Sequence, residues 1–216
     1  MSVQHLIRPG FYAILDTCYV DEDEWEYKAE SLLAGGACML QVRAKGHPLE
    51  RVQELVERVL PAVRKYQVPL IINDHLDLAI KVPEAGLHIG QNDEDILEAR
   101  RKLGPDRILG LSTHSFEQVE KAIAAIDILS YFTIGPIFAT ATKADYKPVG
   151  TELVSRIAAL NASMPFFCID GINRQNLDQV LAAGATGIAA GSDPLLDPNT
   201  EAAVRFYVER LSPTRA

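Results

Sequence analysis

A short stretch between residues 135 and 143 brings together side chains suited to holding a phosphate group. The apolar run from Tyr131 to Ile134 predicts a buried strand, and Gly135-Pro136 ends it because proline has no N–H to donate to a neighbouring strand. The residues that follow are therefore predicted to form a loop at the carboxyl end of that strand. A solvated turn is the alternative interpretation. The two hydroxyls and the one ammonium of this loop belong to Thr140, Thr142 and Lys143.

Two aspartates that follow other apolar runs are candidate metal ligands. Asp74 and Asp93 are predicted to lie at the carboxyl ends of neighbouring strands, where they could share a hard cation. Mg²⁺ suits such a pair because it takes one or two protein carboxylates and completes its shell with water and phosphate oxygens. Aspartate is also a favoured helix N-cap, so both residues could instead cap the helices that follow them.

Basic and polar side chains follow several of the same predicted strands. Period-two alternation aims Gln41, Arg43 and Lys45 to one side if the second strand stays extended. Together with Lys143, these basic residues would face the aspartates, as pyrophosphate binding requires, whereas solvated rim charges are the alternative. Glycines after the last two strands allow a phosphate to approach backbone N–H groups. The remaining candidates at strand ends are Asn73, Ser112, Gly171, Gly191 and Ser192.

Short apolar runs alternate with segments of helical periodicity along the whole chain. Eight such pairs predict a parallel sheet that closes into a (β/α)8 TIM barrel, with an open doubly wound sheet as the alternative. We expect one domain over residues 1–216, with the barrel at about 11–211. His88 lies inside a predicted strand and is interpreted as structural, and His114 as a polar residue at a helix entry. The strands are predicted at 11–15, 38–42, 70–72, 86–89, 108–111, 131–134, 166–169 and 187–190, and helices follow each of them.

The composition predicts a soluble protein without a nucleic-acid surface. A net charge of −8 and a pI near 5.1 argue against a nucleic-acid surface, which needs clustered basic residues. Three separated cysteines give neither a disulfide framework nor a zinc motif, which is typical of the reducing cytoplasm. We expect no signal peptide and no membrane partner, because no apolar run is long enough to cross a bilayer. The sequence does not set the oligomeric state, and a homo-oligomer is compatible with it.

The motifs, taken in order, resemble those of the thiamine phosphate synthase family. The resemblance runs from Phe11 to about Leu196, and the ordered set is far more specific than any single motif. It implies a (β/α)8 barrel that joins hydroxymethylpyrimidine pyrophosphate to thiazole phosphate with Mg²⁺ as cofactor, releasing pyrophosphate. The matching segments are 41–45, 73–74, 88–93, 110–115, 135–143, 170–172 and 191–192.

The same resemblance implies a role for each matching residue. Gln41 and Ser112 would contact the pyrimidine, and Asp74 and Asp93 would bind Mg²⁺. The chemistry implied is dissociative: pyrophosphate leaves first, and the thiazole nitrogen captures the pyrimidine cation. Pyrophosphate would be held by Arg43, Lys45, Asn73 and Lys143, and the thiazole phosphate by Thr140, Thr142, Gly171, Gly191 and Ser192.

The chain departs from the family pattern at three positions. Ala44 replaces the usual glutamate between the basic residues, and Asp170 replaces a glycine before Gly171. Asp193 stands where a small residue is usual. A carboxylate beside a phosphate site repels the ligand unless it points away. Two alternative functions follow from the same residues: a related thiazole tautomerase, which would favour a histidine where Pro136 stands, and a phosphate-binding barrel without catalysis.

Overall fold

Eight parallel strands close into a barrel in the computed structural model, which describes residues 7–140 and 147–212. Each strand pairs with the next along the chain, and β8 pairs with β1 to complete the ring. The predicted (β/α)8 barrel is therefore confirmed. The strands are β1 (Phe11–Asp16), β2 (Met39–Arg43), β3 (Leu70–Asn73), β4 (Ala85–Ile89), β5 (Leu109–Thr113), β6 (Tyr131–Ile134), β7 (Phe166–Ile169) and β8 (Ile188–Ala190).

Helices follow the strands as the periodicity predicts, and the described residues add a 3₁₀ helix (Glu22–Glu24) and one short α-helix. The short helix α8 (Ser192–Leu196) was not predicted, because five residues that include Pro194 carry no helical repeat. Buried Lys28 supports it by donating from Nζ to the Leu195 carbonyl over 2.9 Å. The other helices are α1 (Trp25–Ala34), α2 (Leu49–Tyr66), α3 (Leu76–Lys81), α4 (Ile96–Leu103), α5 (Phe116–Ala124), α6 (Gly150–Ala158), α7 (Leu177–Ala182) and α9 (Thr200–Leu211).

Alternation along the strands separates two apolar layers. In β1, Phe11, Ala13 and Leu15 pack outward against the helices, whereas Tyr12 and Ile14 point into the barrel. Every second residue of a strand faces the interior, so polar residues at the strand ends inherit that direction. The interior cluster contains Ile7, Tyr12, Ile14, Met39, Ile71, Ile108, Tyr131, Phe167 and Ala189.

The entry to α5 carries a capping box in a shifted form. The Ser115 hydroxyl accepts from the Gln118 N–H over 3.3 Å, as expected for an N-cap. The Gln118 side chain, however, accepts from the N–H of His114 over 2.7 Å, one residue earlier than the standard motif. This bond fixes the backbone of His114, whose Nδ1 lies 2.5 Å from the Gly135 carbonyl oxygen at the end of β6.

Between residues 7 and 140 and between 147 and 212, no helix has the length and apolar character needed to cross a bilayer.

Candidate active site

A cavity of about 560 Å³ opens at the carboxyl ends of the barrel strands. This is the face where TIM barrels hold their chemistry, and its size suits substrates of small-molecule dimensions. Within the described ranges, every candidate residue from the sequence lines it; Thr142 and Lys143 lie outside those ranges. The lining candidates are Gln41, Arg43, Lys45, Asn73, Asp74, Asp93, Ser112, Thr140, Gly171, Gly191 and Ser192.

Arg43 is held by a buried aspartate that the sequence reasoning did not select. Its Nη1 lies 2.5 Å from Oδ2 of Asp16, which is 4% exposed, while Asp16 Oδ1 accepts from the Cys18 N–H over 3.0 Å. The two side chains meet because Asp16 and Arg43 are register partners on β1 and β2. Aligning β1 with β2 would have predicted this pair, because Asp16 and Arg43 are the last residues of their strands and both lie at inward-facing positions. The ion pair fixes the guanidinium at the cavity wall.

Asp74 and Asp93 do not cap helices, so that alternative is wrong. His75 occupies the N-cap position of α3, and Asp95 caps α4 by accepting from the backbone N–H groups of Leu97 and Glu98. Asp93 instead folds back, and its Oδ2 accepts from the Gly90 N–H over 2.6 Å. Asp74 has a left-handed φ of 64° and faces the cavity. Both carboxylates are therefore placed by loop geometry.

The pKa of Asp74 is raised above its usual range. Burial is the main cause, and the neighbouring Asp93 charge adds to it, while Lys45 acts in the opposite direction. Nζ of Lys45 lies 3.2 Å from Asp74 Oδ2, but this lysine side chain is 56% exposed. Burial of Asp74 outweighs this lysine, whose charge is screened by solvent.

The described wall of the cavity is acidic before any ligand binds. It holds four carboxylates against two cationic side chains, which are Arg43 and Lys45. Within the described residues, Arg43 pairs with Asp16 and Lys45 with Asp74. An anionic ligand in such a cavity needs an accompanying cation, since charges of one sign repel strongly in a partly buried site. The carboxylates are Asp16, Asp74, Asp93 and Asp170.

The loop after β7 turns through the left-handed region at Asp170, one of the residues that depart from the family pattern. Asp170 and Gly171 both adopt left-handed φ values, 68° and 72°. A Cβ at position 171 would lie 2.5 Å from the Phe138 carbonyl oxygen, so only glycine fits there. The Asn176 amide holds the turn by donating to the Gly171 carbonyl over 2.9 Å. Asp170 itself lies in the cavity wall.

Asp193 is turned toward the helices and does not line the cavity. Its Oδ2 accepts from the Tyr207 hydroxyl over 2.9 Å and from Nε of Arg174 over 3.0 Å. The Arg174 guanidinium also lies 2.7 Å from Oδ2 of Asp197. Repulsion between the Asp193 carboxylate and a phosphate in the cavity is therefore reduced, because Arg174 pairs with this carboxylate and because the side chain points away from the cavity.

A chain of side-chain hydrogen bonds lies at the floor of the cavity. Gln41 Nε2 donates to the Tyr12 hydroxyl over 2.6 Å, and that hydroxyl lies 2.8 Å from the Tyr131 hydroxyl. The Tyr131 hydroxyl lies 3.0 Å from Nδ1 of His88, whose Nε2 lies 2.9 Å from Oγ of Ser112. His88 thus connects to a substrate-contact candidate. The sequence led us to interpret His88 as structural, and it does not reveal the contact with Ser112, because no sequence spacing relates residues 12, 88 and 131.

Comparison with known proteins identifies the family. The family model described as thiamine monophosphate synthase matches residues 11–193. The chain belongs to this family. The thiamine-phosphate synthase of Halalkalibacterium halodurans is 37% identical over 183 residues, which cover 84% of this chain and 85% of that protein. That of Lysinibacillus sphaericus is 39% identical over 182 residues, 82% of this chain and 84% of the other.

A solved structure agrees with these sequence relatives. The thiamine phosphate pyrophosphorylase from Pyrococcus furiosus superposes with a TM-score of 0.84 at 26% identity, covering 98% of this chain and 100% of that one. The departures at Ala44, Asp170 and Asp193 therefore lie within a synthase-family barrel that is otherwise matched along its length.

Proposed function

We propose that this thiamine phosphate synthase joins hydroxymethylpyrimidine pyrophosphate to thiazole phosphate with the help of Mg²⁺. The bond between the pyrimidine methylene carbon and the pyrophosphate oxygen breaks, and its electron pair leaves with pyrophosphate. The lone pair of the thiazole nitrogen then forms the new C–N bond. The observation that carries this proposal is the cavity itself, where basic groups and a carboxylate pair share one wall with a glycine-lined turn opposite.

The carboxylate pair fits a divalent cation better than a pair of structural charges. Burial and the Asp93 charge raise the pKa of Asp74, so a bound cation would relieve an existing repulsion. No group of three or more His, Cys, Asp or Glu side chains with metal-ligand geometry occurs within residues 7–140 and 147–212. A site of two carboxylates suits Mg²⁺, whose shell is otherwise filled by water and phosphate oxygens. When bound, the ion would neutralise charge on the leaving pyrophosphate.

The side chains of the wall divide the remaining work. Arg43, oriented by Asp16, and Lys45 would donate to pyrophosphate oxygens, with Asn73 beside them. Lys143 is proposed to act with them as a leaving-group stabiliser. Gln41 and Ser112 would hold the pyrimidine over the floor of the cavity. The thiazole phosphate would bind at Gly171, Gly191 and Ser192, and the hydroxyls of Thr140 and Thr142 are proposed as further donors to it.

A direct assay tests the proposal and separates it from its alternatives. Purified protein is mixed with both substrates and Mg²⁺, and thiamine phosphate and pyrophosphate are measured together. We expect both products in equal amounts, and neither when a chelator is added or one substrate is omitted. Conversion of the thiazole phosphate alone would indicate the tautomerase. Binding of both substrates without any product would indicate a phosphate-binding barrel.

A further inference from the structure

The hydrogen-bond chain beneath the cavity joins two residues on opposite sides of the barrel interior. Gln41 on β2 and Ser112 on β5 both line the cavity, and three side chains connect them below its floor. Tyr12 and Tyr131 are fully buried, and Phe167 packs against both rings at centroid distances of 5.3 and 5.7 Å. The connection therefore lies in a rigid, dry part of the molecule.

Each tyrosine hydroxyl in this chain has one hydrogen to donate, so the direction of one hydrogen bond determines the direction of the next. The Tyr12 oxygen accepts from Gln41 Nε2, which leaves its own single hydrogen for Tyr131. Tyr131 then has its hydrogen for Nδ1 of His88. With the Gln41 amide in this orientation, any other arrangement leaves a buried hydroxyl hydrogen without an acceptor, which is costly. Burial also raises the pKa of both tyrosines, so each hydroxyl keeps its hydrogen at neutral pH.

The order of donors determines what the two ends offer to a ligand. With Nδ1 accepting, the neutral imidazole of His88 carries its hydrogen on Nε2 and donates to Ser112 Oγ. The Ser112 hydroxyl hydrogen is then directed to the cavity. At the other end, Gln41 uses its amide N–H on Tyr12, so its carbonyl oxygen is available to a ligand. A rotated Gln41 amide would reverse every donor and exchange both roles.

We propose that Tyr12, Tyr131 and His88 are positioning residues that couple the Gln41 amide to the Ser112 hydroxyl and so set the cavity's donor and acceptor pattern. The observed direction presents an acceptor at Gln41 and a donor at Ser112. A heteroaromatic ring that carries an amino donor and a ring-nitrogen acceptor matches this pattern. A ring with a carbonyl beside a ring N–H has the reverse pattern. This inference rests on the proposed function in placing the pyrimidine at these two residues.

A small residue on β5 makes room for the central member of the chain. A Cβ at Gly110 would lie 2.2 Å from Cζ of Tyr131, and the Tyr131 hydroxyl would lie 2.5 Å away. Only glycine therefore allows the Tyr131 ring to cross the barrel interior and reach both Tyr12 and His88. Tyr131 and His88 also stack, with centroids 5.5 Å apart.

The tautomer of His88 is the direct test, and it needs no substrate. In ¹⁵N-labelled wild-type protein, long-range ¹⁵N–¹H correlation should show Nδ1 without a hydrogen and Nε2 with one. Tyr131→Phe keeps the ring but removes the hydroxyl, and the single tautomer should give way to a mixture. Tyr207→Phe removes another fully buried hydroxyl outside the chain and should leave the tautomer unchanged. A hydrogen on Nδ1 in the wild type, or no effect of Tyr131→Phe, would overturn the proposal.

A pair of probes of the same shape tests the specificity. 4-Aminopyrimidine should bind at least tenfold more tightly than pyrimidin-4-one to the wild type, since a mismatched edge leaves buried groups unpaired. Tyr131→Phe should lose most of this preference, whereas a merely structural role would lower both affinities equally. No preference in the wild type, whether both probes bind or neither does, would overturn the specificity. If the protein forms thiamine phosphate but His88 carries its hydrogen on Nδ1, only this inference is contradicted. If His88 carries its hydrogen on Nε2 but no thiamine phosphate is formed, only the proposed function is contradicted.

Discussion

Asp74 Oδ2 lies 3.2 Å from Nζ of Lys45, yet the pKa of this aspartate is raised. Burial and the Asp93 charge outweigh the lysine, so the protonated carboxyl is favoured in the folded state. From about pH 3.8, the ordinary value of Asp74, up to its raised value, the folded protein binds more protons than the unfolded chain. Its free energy of unfolding therefore falls as the pH rises through this window.

We expect Asp74→Asn to remove this loss of stability. In urea titrations without divalent cations, the variant should become more stable than the wild type as the pH rises above about 4. Asparagine also tolerates the left-handed φ at this position. Asp77→Asn changes an exposed aspartate of α3 and serves as the control. A wild type that stays more stable than Asp74→Asn at pH 7 would contradict the prediction.

Asp93→Asn should reduce turnover far more than stability. The asparagine carbonyl can still accept from the Gly90 N–H, so the loop is expected to keep its fold. Loss of one of two carboxylates should weaken the cation site, and we expect turnover to fall by roughly 10²- to 10³-fold. Asp95→Ala, which removes the cap of α4, should instead cost about 1 kcal/mol of stability and leave turnover unchanged. Full activity of Asp93→Asn with Mg²⁺ present would show that Asp93 does not hold the cation, and full activity in a chelator would show that turnover needs no cation.

Asp170→Gly should lower the Michaelis constant for thiazole phosphate, by roughly 10²-fold at low salt. Two unit charges about 6 Å apart repel by roughly 3 kcal/mol at an effective dielectric constant near 20, before salt screening. The constant for the pyrimidine substrate should change little, because its proposed contacts follow other strands.

Asp170→Asn distinguishes the effect of the carboxylate charge from the effect of backbone conformation at this position. It removes the carboxylate charge but keeps a residue that tolerates a φ of 68°. If charge is the cause, both variants should lower the constant alike. An effect of glycine alone would assign it to the backbone, and a rise in both variants would mean that Asp170 assists binding.

Asp193→Ala should destabilise the segment that joins β8 to α9. It leaves the buried Tyr207 hydroxyl without its acceptor and removes a partner of Arg174, so we expect a loss of about 1 to 3 kcal/mol. Tyr207→Phe removes the same hydrogen bond but keeps the Arg174 contact, and should cost less. Thermal unfolding of the three proteins measures the order. An Asp193→Ala protein as stable as the wild type would mean that the bonds do not stabilise this segment.

The sequence predicted the barrel because its information is local. Apolar runs of three to five residues mark each strand, and the intervening periodic segments fix their order, as with α4 (Ile96–Leu103), which follows the fourth predicted strand. Helix α8 has no such signal. In α2, Pro61 does not end the helix, because Ala62 and Val63 continue the buried stripe.

The candidate site was predicted in part for the same reason. Gln41 and Arg43 face inward because β2 alternates, and that rule is contained in five residues. The bond between Tyr12 and Tyr131 joins positions 119 residues apart, and the bonds of Asp193 depend on how α9 packs. Such contacts follow from barrel closure and helix docking, which no short pattern contains.

Pairing between β1 and β8 joins the first and last strands of the barrel. A chain that lacks residues beyond 187 has β1 and β7 as open edges, each with unpaired backbone donors and acceptors. Such edges are sites of aggregation, so we expect the solubility of this chain to depend on the presence of β8. Truncations placed before and after β8 would measure this dependence, with the longer chain expected to remain in solution.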